Sequence, residues 1–494
     1  MACPELHLVL CCVPCYGHAK PLIIFAEHLV DAGHQVTYLT SQKMVGTCEK
    51  ICRDPRVRML GVDDELQRES DDFKIGVPDK MKMHPVWYAE QKMTPVVVEA
   101  IKSMPRLPDM VISDHLTWAG PNAAHALGLK HTCHITWPLY MLEETGLLPL
   151  NSLARWVGVR VRNLLSSRFS PMCMKPAGPP RAMLERVRQN CLGSGERNLG
   201  GGLLLVTSSF GIESPRPLPP FVRVIGRGHR LETVDALAEH EELKAFLDGN
   251  SDVVYVTFGS RVPPPATLIR SVGDGLVAGG WAVVWSLQQQ LQAHLPDAAL
   301  ASGRFFVRPW LPQGSALAHP NIRAAITHCG MGGLFECAAN AIPLVPLPFS
   351  LSADQPVNAR AAVAAGFAVR PRSSRSLMRW CSGGDPVFTA DAIREAVDKA
   401  MHDPLLLEGA RRAKRAVLAA GYGHGAVEAV ESACLYGTDH LTMGMTKAGK
   451  ASSSLFIMAA VAAGVAIGLM ITDAAFPARL ACAHRGSLWA MNRA

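Results

Sequence analysis

The sequence predicts an α/β protein built from two tandem doubly wound, Rossmann-like domains with a cleft between them. The chain has 494 residues, which is more than one hydrophobic core usually organises, so two domains are expected. Apolar residues make up 49% and charged residues 18% of the chain, a composition typical of packed globular proteins. Short runs rich in Val, Ile and Leu alternate with longer segments of helical period, and this alternation is typical of βαβ units.

The first series of elements predicts an N-terminal domain over residues 1–225. We predict a strand from "LHLVLCCV", a helix from "KPLIIFAEHLVDAGH" that ends at Gly33, and a strand from "QVTYLT". The same alternation recurs at "PDMVISD" followed by "WAGPNAAHALG", and at "GLLLVTSS". The Met-rich stretch "KMKMHPVWYAEQKM" and the excursion Pro171–Gly202 are predicted to be loops that shape a binding site.

A change of composition separates the first series from a second one. The stretch Ser214–Pro220, "SPRPLPP", contains four prolines, and a polar segment follows up to Asn250. We predict the interdomain connection there, with a linker over residues 226–250. The C-terminal domain is predicted over residues 251–420 from the strand-length runs "DVVYVTFGS", "GWAVVWSL", "RFFVRPW", "IRAAITHCG" and "IPLVPLP". These runs are continuously apolar, as expected when both faces of a parallel sheet are covered.

Two further segments follow the second series. A terminal helix within residues 421–440 is expected to pack back on the N-terminal domain. Residues 451–472 contain no charged side chain and include "LFIMAAVAAGVAIGLMI", which is close to the minimum length that spans a bilayer. This segment predicts a tail anchor that leaves the globular part in the cytosol; the alternative is an alanine-rich helix that packs on protein.

The charge and the cysteines narrow the classes of function. The net charge of +7 is spread along the chain without a long basic run, so a nucleic-acid partner is not expected. The fourteen cysteines are diluted over a long chain, and we expect mostly free, buried thiols. Cys12 and Cys15 have the CxxC spacing of redox motifs, and Cys48 and Cys52 would complete a four-thiolate metal site, so this alternative stays open.

A candidate catalytic pair follows two strands of the N-terminal domain. His18 lies between the first strand and the first helix in "PCYGHAKP", and Asp114 ends the strand in "VISD". Because strand ends on one edge of a parallel sheet converge, the two side chains are expected within hydrogen-bond reach. An aspartate that accepts from one ring nitrogen of a histidine leaves the other nitrogen able to remove a proton. The pair therefore predicts a general base, although most of the 18 histidines must be structural.

Glycine clusters follow two strands of the C-terminal domain and predict an anion site. "TFGS" ends at Ser260, and "THCGMGG" follows another strand. Backbone N–H groups at helix starts bind anions. The spacing does not fit GxGxxG, because Phe335 follows where that pattern needs a glycine, and GxxxxGK[ST] does not occur. A diphosphate is therefore predicted, without support for NAD or ATP.

The span Trp310–Ala359, "WLPQGSALAHPNIRAAITHCGMGGLFECAANAIPLVPLPFSLSADQPVNA", resembles the donor signature of the UDP-dependent glycosyltransferases, the family 1 type with the GT-B fold. "GHAKPLIIFAEHLVDAGHQVTYLT", "DMVISD" and "VVYVTFGS" are similar to other parts of the same family. The resemblance extends from Leu6 to about Tyr436. It implies inverting transfer of a hexose, with UDP-glucose as the first candidate donor, to a hydroxyl of a small lipophilic acceptor.

The resemblance also implies roles for the residues that match the family pattern. Trp310 would stack on uracil, Gln313 would lie near the ribose, and Glu336 would hold both ribose hydroxyls. His18 would be the base, with Asp114 as its orienting partner. The diphosphate would be contacted by His328 with Ser260 on its other side, and by backbone N–H groups at Gly330, Gly332 and Gly333. Asp354 and Gln355 would bind sugar hydroxyls.

The sequence departs from the plant-type pattern at the diphosphate site. Met331-Gly332-Gly333 stands where plant-type members carry Trp-Asn-Ser, so side-chain bonds from Asn and Ser to phosphate are absent and backbone N–H groups must substitute. Two additional residues lie between Pro348 and Asp354. We expect no metal and no cofactor. Two alternatives stay open: a non-catalytic relative that binds a nucleotide sugar or recruits a partner to a membrane, and a nucleotide-sugar epimerase on the same fold.

Overall fold

The computed structural model describes residues 3–63, 85–139, 142, 202–228, 230–259, 262–349, 354–374, 387–421, 423–438 and 441. Met1–Thr438 cluster into one compact unit. The candidate membrane segment 451–472 and nearly all of the Pro171–Gly202 excursion lie outside the described residues. Within the described ranges, no helix combines the length and the apolar character that crossing a bilayer requires. Membrane attachment therefore stays a prediction.

The first sheet has seven parallel strands in the spatial order β3-β2-β1-β4-β5-β6-β7. The strands are β1 (His7–Cys11), β2 (Gln35–Ser41), β3 (Arg58–Val62), β4 (Met110–Asp114), β5 (Lys130–Ile135), β6 (Leu204–Val206) and β7 (Val222–Val224). Strand β1 pairs with β2 on one side and with β4 on the other, so the strand order reverses between β1 and β4. In doubly wound folds, ligands bind beyond the carboxyl ends of the strands at this reversal.

The helices of the first half are α1 (Tyr16–Asp31), α2 (Val45–Ile51), α3 (Pro85–Lys102) and α4 (Ala119–Leu127). Helix α1 buries Leu22, Phe25 and Leu29, which recur at helical spacing as the sequence predicted. It begins two residues before His18, so that side chain lies in the first helical turn and not ahead of the helix. Helix α3 also contradicts part of the loop prediction for "KMKMHPVWYAEQKM", because the helix starts at Pro85.

The second sheet has five parallel strands in the spatial order β10-β9-β8-β11-β12. The strands are β8 (Val253–Thr257), β9 (Ala282–Ser286), β10 (Phe305–Arg308), β11 (Ile322–Thr327) and β12 (Leu344–Pro346). Alternate residues of β8 belong to opposite cores: Val253 and Tyr255 pack on one face of the sheet, Val254 and Val256 on the other. Because both faces are covered, apolar side chains are needed on both, which explains the continuous apolar runs.

The described helices that accompany the second sheet and follow it are α5 (Glu241–Asp248), α6 (Ala266–Gly279), α7 (Asp297–Ala301), α8 (Gln313–Leu317), α9 (Met331–Ala339), α10 (Gln355–Ala364), α11 (Ala390–His402), α12 (Pro404–Ala419) and α13 (His424–Tyr436). A short antiparallel pair, β13 (Ser373–Ser374) and β14 (Val387–Phe388), lies between α10 and α11. Helix α13 contacts the first half of the chain. His34 Nε2 lies 3.1 Å from Glu431 Oε1, and the Lys130 ammonium donates to the carbonyl of Cys434.

The proline-rich stretch does not itself separate the two sheets. Ser214–Pro220 lies between β6 and β7, and β7 pairs in parallel with β6 in the first sheet. The chain passes to the second sheet after β7. Arg230 pairs with Glu27, and Arg53 pairs with Glu232, so this crossing segment is tied to the first half by ion pairs. The other residue limits given for the domains stay predictions.

Buried histidines of β5 predict acid sensitivity of the fold. Burial lowers the pKa of His131 to about 3 and that of His134 to about 4. An unfolded histidine binds its proton near pH 6.5, so between about pH 6.5 and 4 the unfolded state holds more protons than the folded state. The free energy of unfolding is therefore expected to fall as the pH drops through this window, by at most about 1.4 kcal/mol per pH unit for each histidine. Urea unfolding at several pH values measures the slope.

His131→Leu is expected to make that pH slope shallower, because it removes one of the two buried histidines of β5. His131 Nε2 has no hydrogen-bond partner among the described residues, so the substitution breaks no hydrogen bond of that atom. The exposed His125 on α4 offers a matched control, since His125→Leu should leave the slope unchanged. An equal slope in wild type and His131→Leu would contradict the assignment.

Candidate active site

His18 and Asp114 meet where the order of the first sheet reverses. His18 lies in the first turn of α1, Asp114 is the last residue of β4, and His18 Nδ1 is 2.8 Å from Asp114 Oδ2. The other carboxylate oxygen accepts from the Leu116 N–H at 2.9 Å, and Thr136 Oγ1 lies 3.4 Å from His18 Nδ1. Both members of the pair are buried. The structure therefore brings the two residues together as the strand-end argument predicted.

The Asp114 carboxyl is held as an anion. Burial opposes its ionisation, but the adjacent imidazoles of His18 and His115 outweigh this and hold the pKa of Asp114 well below its usual range. A carboxylate accepts only, so the proton of the neutral His18 imidazole lies on Nδ1. The other ring nitrogen, Nε2, is then the one with a lone pair, which is the arrangement of a general base.

His115 is a neighbour that the sequence argument did not single out, although it follows Asp114 directly in "VISDH". Its Nδ1 lies 3.2 Å from Asp114 Oδ2, and its ring centroid is 5.1 Å from that of His18. Trp137 packs against it at 4.4 Å, and burial lowers the pKa of His115. Nothing in the residue spacing marks it, because any residue after the strand could turn towards the carboxylate or away from it.

One group of possible metal ligands occurs among the described residues. Donor atoms of His18, Asp114 and His115 all lie within 4.8 Å of one another. The cysteines proposed as an alternative do not form such a group in the described part of the chain. Cys12 and Cys48 are fully buried, and burial raises the pKa of the Cys12 thiol well above its ordinary value, which makes it a poor nucleophile or redox group.

His328 lies between two glycines after β11. A Cβ added at Gly330 would lie 2.5 Å from His328 Nε2, and one added at Gly259 would lie 2.8 Å from His328 Cε1. Burial lowers the pKa of His328 to about 4. At neutral pH the ring is therefore an uncharged hydrogen-bond donor and not a cation. Cys329 follows with a φ of 64°, a left-handed conformation that non-glycine residues seldom adopt outside functional sites.

The first turn of α9 offers backbone N–H groups directly after His328. Gly330 is the N-cap residue, and the helix begins at Met331, with Gly332 and Gly333 in its first turn. The first N–H groups of a helix lack intrahelical partners, and together with the helix dipole they favour anions. A Cβ at Gly333 would meet only Thr327 Oγ1 at 3.6 Å and Gln313 Nε2 at 3.7 Å, which are ordinary contacts.

Glu336 receives bonds from both halves of the molecule. Its Oε2 accepts from Gln313 Nε2, and Gln313 is the first residue of α8. Its Oε1 lies 3.0 Å from Lys20 Nζ, which belongs to α1 of the first sheet layer. Lys20 is a further residue that the sequence did not indicate. Trp310, three residues before Gln313, leaves 67% of its side chain exposed, and an exposed indole provides a face for stacking.

Asp354 and Gln355 lie at the start of α10, and a third polar residue ties them to the glycine turn. Asn358 Nδ2 lies 2.7 Å from Asp354 Oδ2 and 2.9 Å from the carbonyl oxygen of Cys329. Gln355 Oε1 accepts from the Phe349 N–H at 3.3 Å. Asn358 was not predicted, although its position four residues after Asp354 places both on one face of a helix. Ser260 lies outside the described residues.

The two sheets define the class of protein. The chain superposes on the crystal structure of Os79 from O. sativa in complex with UDP with a TM-score of 0.65, at 17% identity, over 86% of this chain and 100% of that chain. It superposes on Medicago truncatula UGT71G1 complexed with UDP-glucose with a TM-score of 0.64, at 16% identity, over 87% and 98%. At these identities the match shows the fold alone, which is the GT-B arrangement, so the predicted fold class is confirmed.

Sequence comparison matches part of the chain to a known family. Residues 200–376 match the family described as UDP-glucoronosyl and UDP-glucosyl transferase, so the resemblance seen in the sequence is confirmed over this segment. The chain is 37% identical over 112 residues to anthocyanidin 3-O-glucosyltransferase UFGT of Vitis vinifera, covering 22% of this chain and 24% of that relative. It is 32% identical over 205 residues to indole-3-acetate beta-glucosyltransferase of Zea mays, covering 40% and 41%. The alignments thus span less than half of either relative.

Proposed function

We propose that the protein is an inverting UDP-glycosyltransferase that moves a hexose from a UDP-sugar to a hydroxyl group of a small lipophilic acceptor. One observation carries the proposal. A buried His18–Asp114 pair at the strand-order reversal of the first sheet shares helix α1 with Lys20, whose ammonium contacts Glu336 of the second sheet layer. A proton-accepting group and a nucleotide-binding carboxylate are thereby brought to the same side of the molecule.

The chemistry proposed for this site is a single displacement. His18 Nε2 takes the proton of the acceptor hydroxyl while the acceptor oxygen attacks the anomeric carbon from the face opposite the diphosphate. The bond between the anomeric carbon and the β-phosphate oxygen breaks, and UDP leaves with that electron pair. Asp114 stabilises the imidazolium that forms. The negative charge that grows on the diphosphate is stabilised by the first-turn N–H groups of α9 and by the neutral His328.

The donor side of the proposal uses the residues around α9. Trp310 provides the stacking face for the base, and Glu336 accepts from the ribose hydroxyls. Asp354, held by Asn358, and Gln355 lie beside the turn that precedes α9 and are proposed to bind hydroxyls of the sugar. The two relatives named above carry glucosyltransferase in their names, which supports UDP-glucose as the first donor to test.

The test measures UDP release from a panel of UDP-sugars with mixtures of sterol, terpenoid, polyketide and phenolic alcohols. Wild type is expected to release UDP only with an acceptor, and His18→Ala is expected to abolish that release. A product with an inverted anomeric configuration, determined by NMR, would support the displacement. Binding of UDP-sugars without release from any pair would contradict the proposal and favour a non-catalytic nucleotide-sugar-binding protein. Interconversion of the UDP-sugars without an acceptor would instead indicate an epimerase.

The reaction is expected to need no metal ion. The donor atoms of His18, Asp114 and His115 are close enough to chelate one, but the hydrogen bond between His18 and Asp114 requires a proton where a metal would lie. We therefore expect full activity after dialysis against EDTA and no gain on addition of Mg²⁺ or Mn²⁺. Loss of activity in EDTA that is restored by one cation would contradict the proposed role of the pair.

A further inference from the structure

The ion pair between Lys20 and Glu336 links two sites that lie on different sheet layers. Lys20 belongs to α1, next to the first sheet, and Glu336 belongs to α9, next to the second. The two residues are 316 positions apart in the chain, and Lys20 Nζ lies 3.0 Å from Glu336 Oε1. The displacement mechanism gives Lys20 no role, and the sequence pattern did not indicate the contact.

The environment of the pair makes the contact stronger than a surface ion pair. The side chain of Glu336 is 9% exposed and that of Lys20 is 24% exposed. Burial opposes the charge on Lys20, but Glu336 outweighs it, and the pKa of Lys20 is raised above its ordinary value. Exposed pairs contribute little because water screens them, whereas breaking a buried pair leaves an uncompensated charge.

The geometry also fixes the direction of the Glu336 carboxylate. Lys20 Nζ contacts one of its oxygens, and Gln313 Nε2 donates to the other. An ionised carboxylate held from two directions presents its oxygens in a fixed orientation. A neutral or rotated carboxyl would lose this orientation and the strength of charge-assisted bonds to hydroxyl groups.

Helix α1 connects this carboxylate to the catalytic pair. His18 and Lys20 are two positions apart in a helix, so they point to different sides of α1. His18 faces Asp114 in the first sheet layer, and Lys20 faces Glu336 beyond it. The first turns of α1 therefore carry the proposed base, His18, on one side and Lys20, the partner of Glu336, on the other.

We propose that Lys20 is a positioning residue of the donor site: it holds the Glu336 carboxylate ionised and directed at the ribose, so that the half of the molecule that carries the base also completes the nucleotide pocket. This inference rests on the proposed function, because it takes the ribose of a UDP-sugar as the ligand of Glu336. It predicts that the acceptor-side helix α1 contributes to discrimination between ribose and deoxyribose in the donor.

The experiment compares the dissociation constants of UDP and of 2′-deoxy-UDP, measured by isothermal titration calorimetry. Wild type is expected to prefer UDP clearly. Lys20→Met is expected to weaken UDP binding at least tenfold while 2′-deoxy-UDP loses less, so that the preference shrinks. Lys20→Arg keeps a cation at the position and is expected to restore most of the preference. Lys102→Met, which removes a lysine from the exposed pair with Glu99, is the matched control and should behave as wild type.

A double-mutant cycle with Glu336→Gln separates positioning from a general loss of structure. If Lys20 acts through Glu336, adding Lys20→Met to Glu336→Gln should cost little further affinity for UDP. Tighter UDP binding by Lys20→Met would overturn the inference, because it would mean that the ammonium competes with the ribose. An unchanged preference for UDP, or fully additive losses, would also overturn it.

Failure of the proposed function would be recognised separately from failure of this inference. UDP binding that depends on Lys20, without any transfer in the UDP-release assay, would contradict the enzyme and leave the positioning role intact. If the protein transfers the sugar but Lys20→Met prefers UDP over 2′-deoxy-UDP as strongly as wild type does, the positioning role is contradicted. The proposed enzymatic function would still stand.

Discussion

Asp114→Asn is expected to lower kcat/KM for glycosyl transfer by about 10²–10⁴-fold, the range that positioned general bases contribute. An asparagine at this position can keep its carbonyl oxygen on the Leu116 N–H, which Asp114 Oδ1 now engages at 2.9 Å. Its NH₂ group then faces His18 Nδ1, where the carboxylate oxygen lies now at 2.8 Å. Two donors cannot share one hydrogen bond, so the imidazole proton must move to Nε2. The nitrogen that faces the acceptor would lose its lone pair.

The measurement is the steady-state rate of UDP release at saturating donor, with kcat and KM separated for the acceptor. The loss should lie in kcat, with little change in the dissociation constant of UDP, because Asp114 belongs to the first sheet layer. The exposed His402–Asp398 pair on α11, with Nδ1 and Oδ1 3.2 Å apart, provides a matched control. Asp398→Asn removes a carboxylate from the same kind of pair and should leave the rate unchanged. Equal activity of Asp114→Asn and wild type would exclude His18 as a base oriented by this carboxylate.

The parts of the site that local sequence could predict are those fixed by strand ends. His18 and Asp114 follow adjacent parallel strands, so their meeting follows from the βαβ pattern alone. The glycine turn after "AAIT" follows in the same way from a strand that runs into a helix. The strand "RMLGV" of β3 and the strand "KHTCHI" of β5 were not predicted, because charged and polar residues interrupt the apolar run in both.

Side-chain contacts between residues that are far apart in the sequence could not be predicted from the sequence pattern. Lys20 meets Glu336 only because the two layers come together, and nothing in "GHAKP" distinguishes a lysine that crosses to another layer from one that faces water. The bond from Asn358 to the Cys329 carbonyl depends on how α10 is set against the turn before α9. The proline-rich stretch is a related case: prolines mark an irregular segment, but they do not show that the next short strand, β7, returns to the first sheet.

Substitution of Gly330 and of Gly333, two glycines of the proposed diphosphate site, is expected to change the affinity for UDP in opposite directions. Gly330→Ala adds a Cβ that would lie 2.5 Å from His328 Nε2, so the imidazole or the start of α9 has to shift. Overpacking of this kind costs about 1–3 kcal/mol, and here it falls on the donors of the anion site. We expect the affinity for UDP to fall by about tenfold to a hundredfold.

Gly333→Ser is expected to tighten UDP binding instead, by about two- to tenfold. Its Cβ would meet only ordinary contacts at 3.6 and 3.7 Å, and the position lies within the first turn of α9. Replacing a helical glycine removes a conformational cost of about 0.5–1 kcal/mol from folding, which should raise stability. The tighter binding is expected from the hydroxyl group, which adds a neutral hydrogen-bond donor worth about 0.5–1.5 kcal/mol. Calorimetric titration with UDP measures both variants, and thermal unfolding records their stability.

Gly46→Ala is the control for the backbone term, because Gly46 lies within α2 with no atom within 4 Å of an added Cβ. It should raise stability slightly and leave UDP binding unchanged. If Gly330→Ala bound UDP as well as wild type, the turn between β11 and α9 would not be the diphosphate site. If Gly333→Ser weakened binding, the phosphates would lie too close to that position for any side chain, and the glycine there would be a requirement of the ligand, not a lost hydrogen-bond donor.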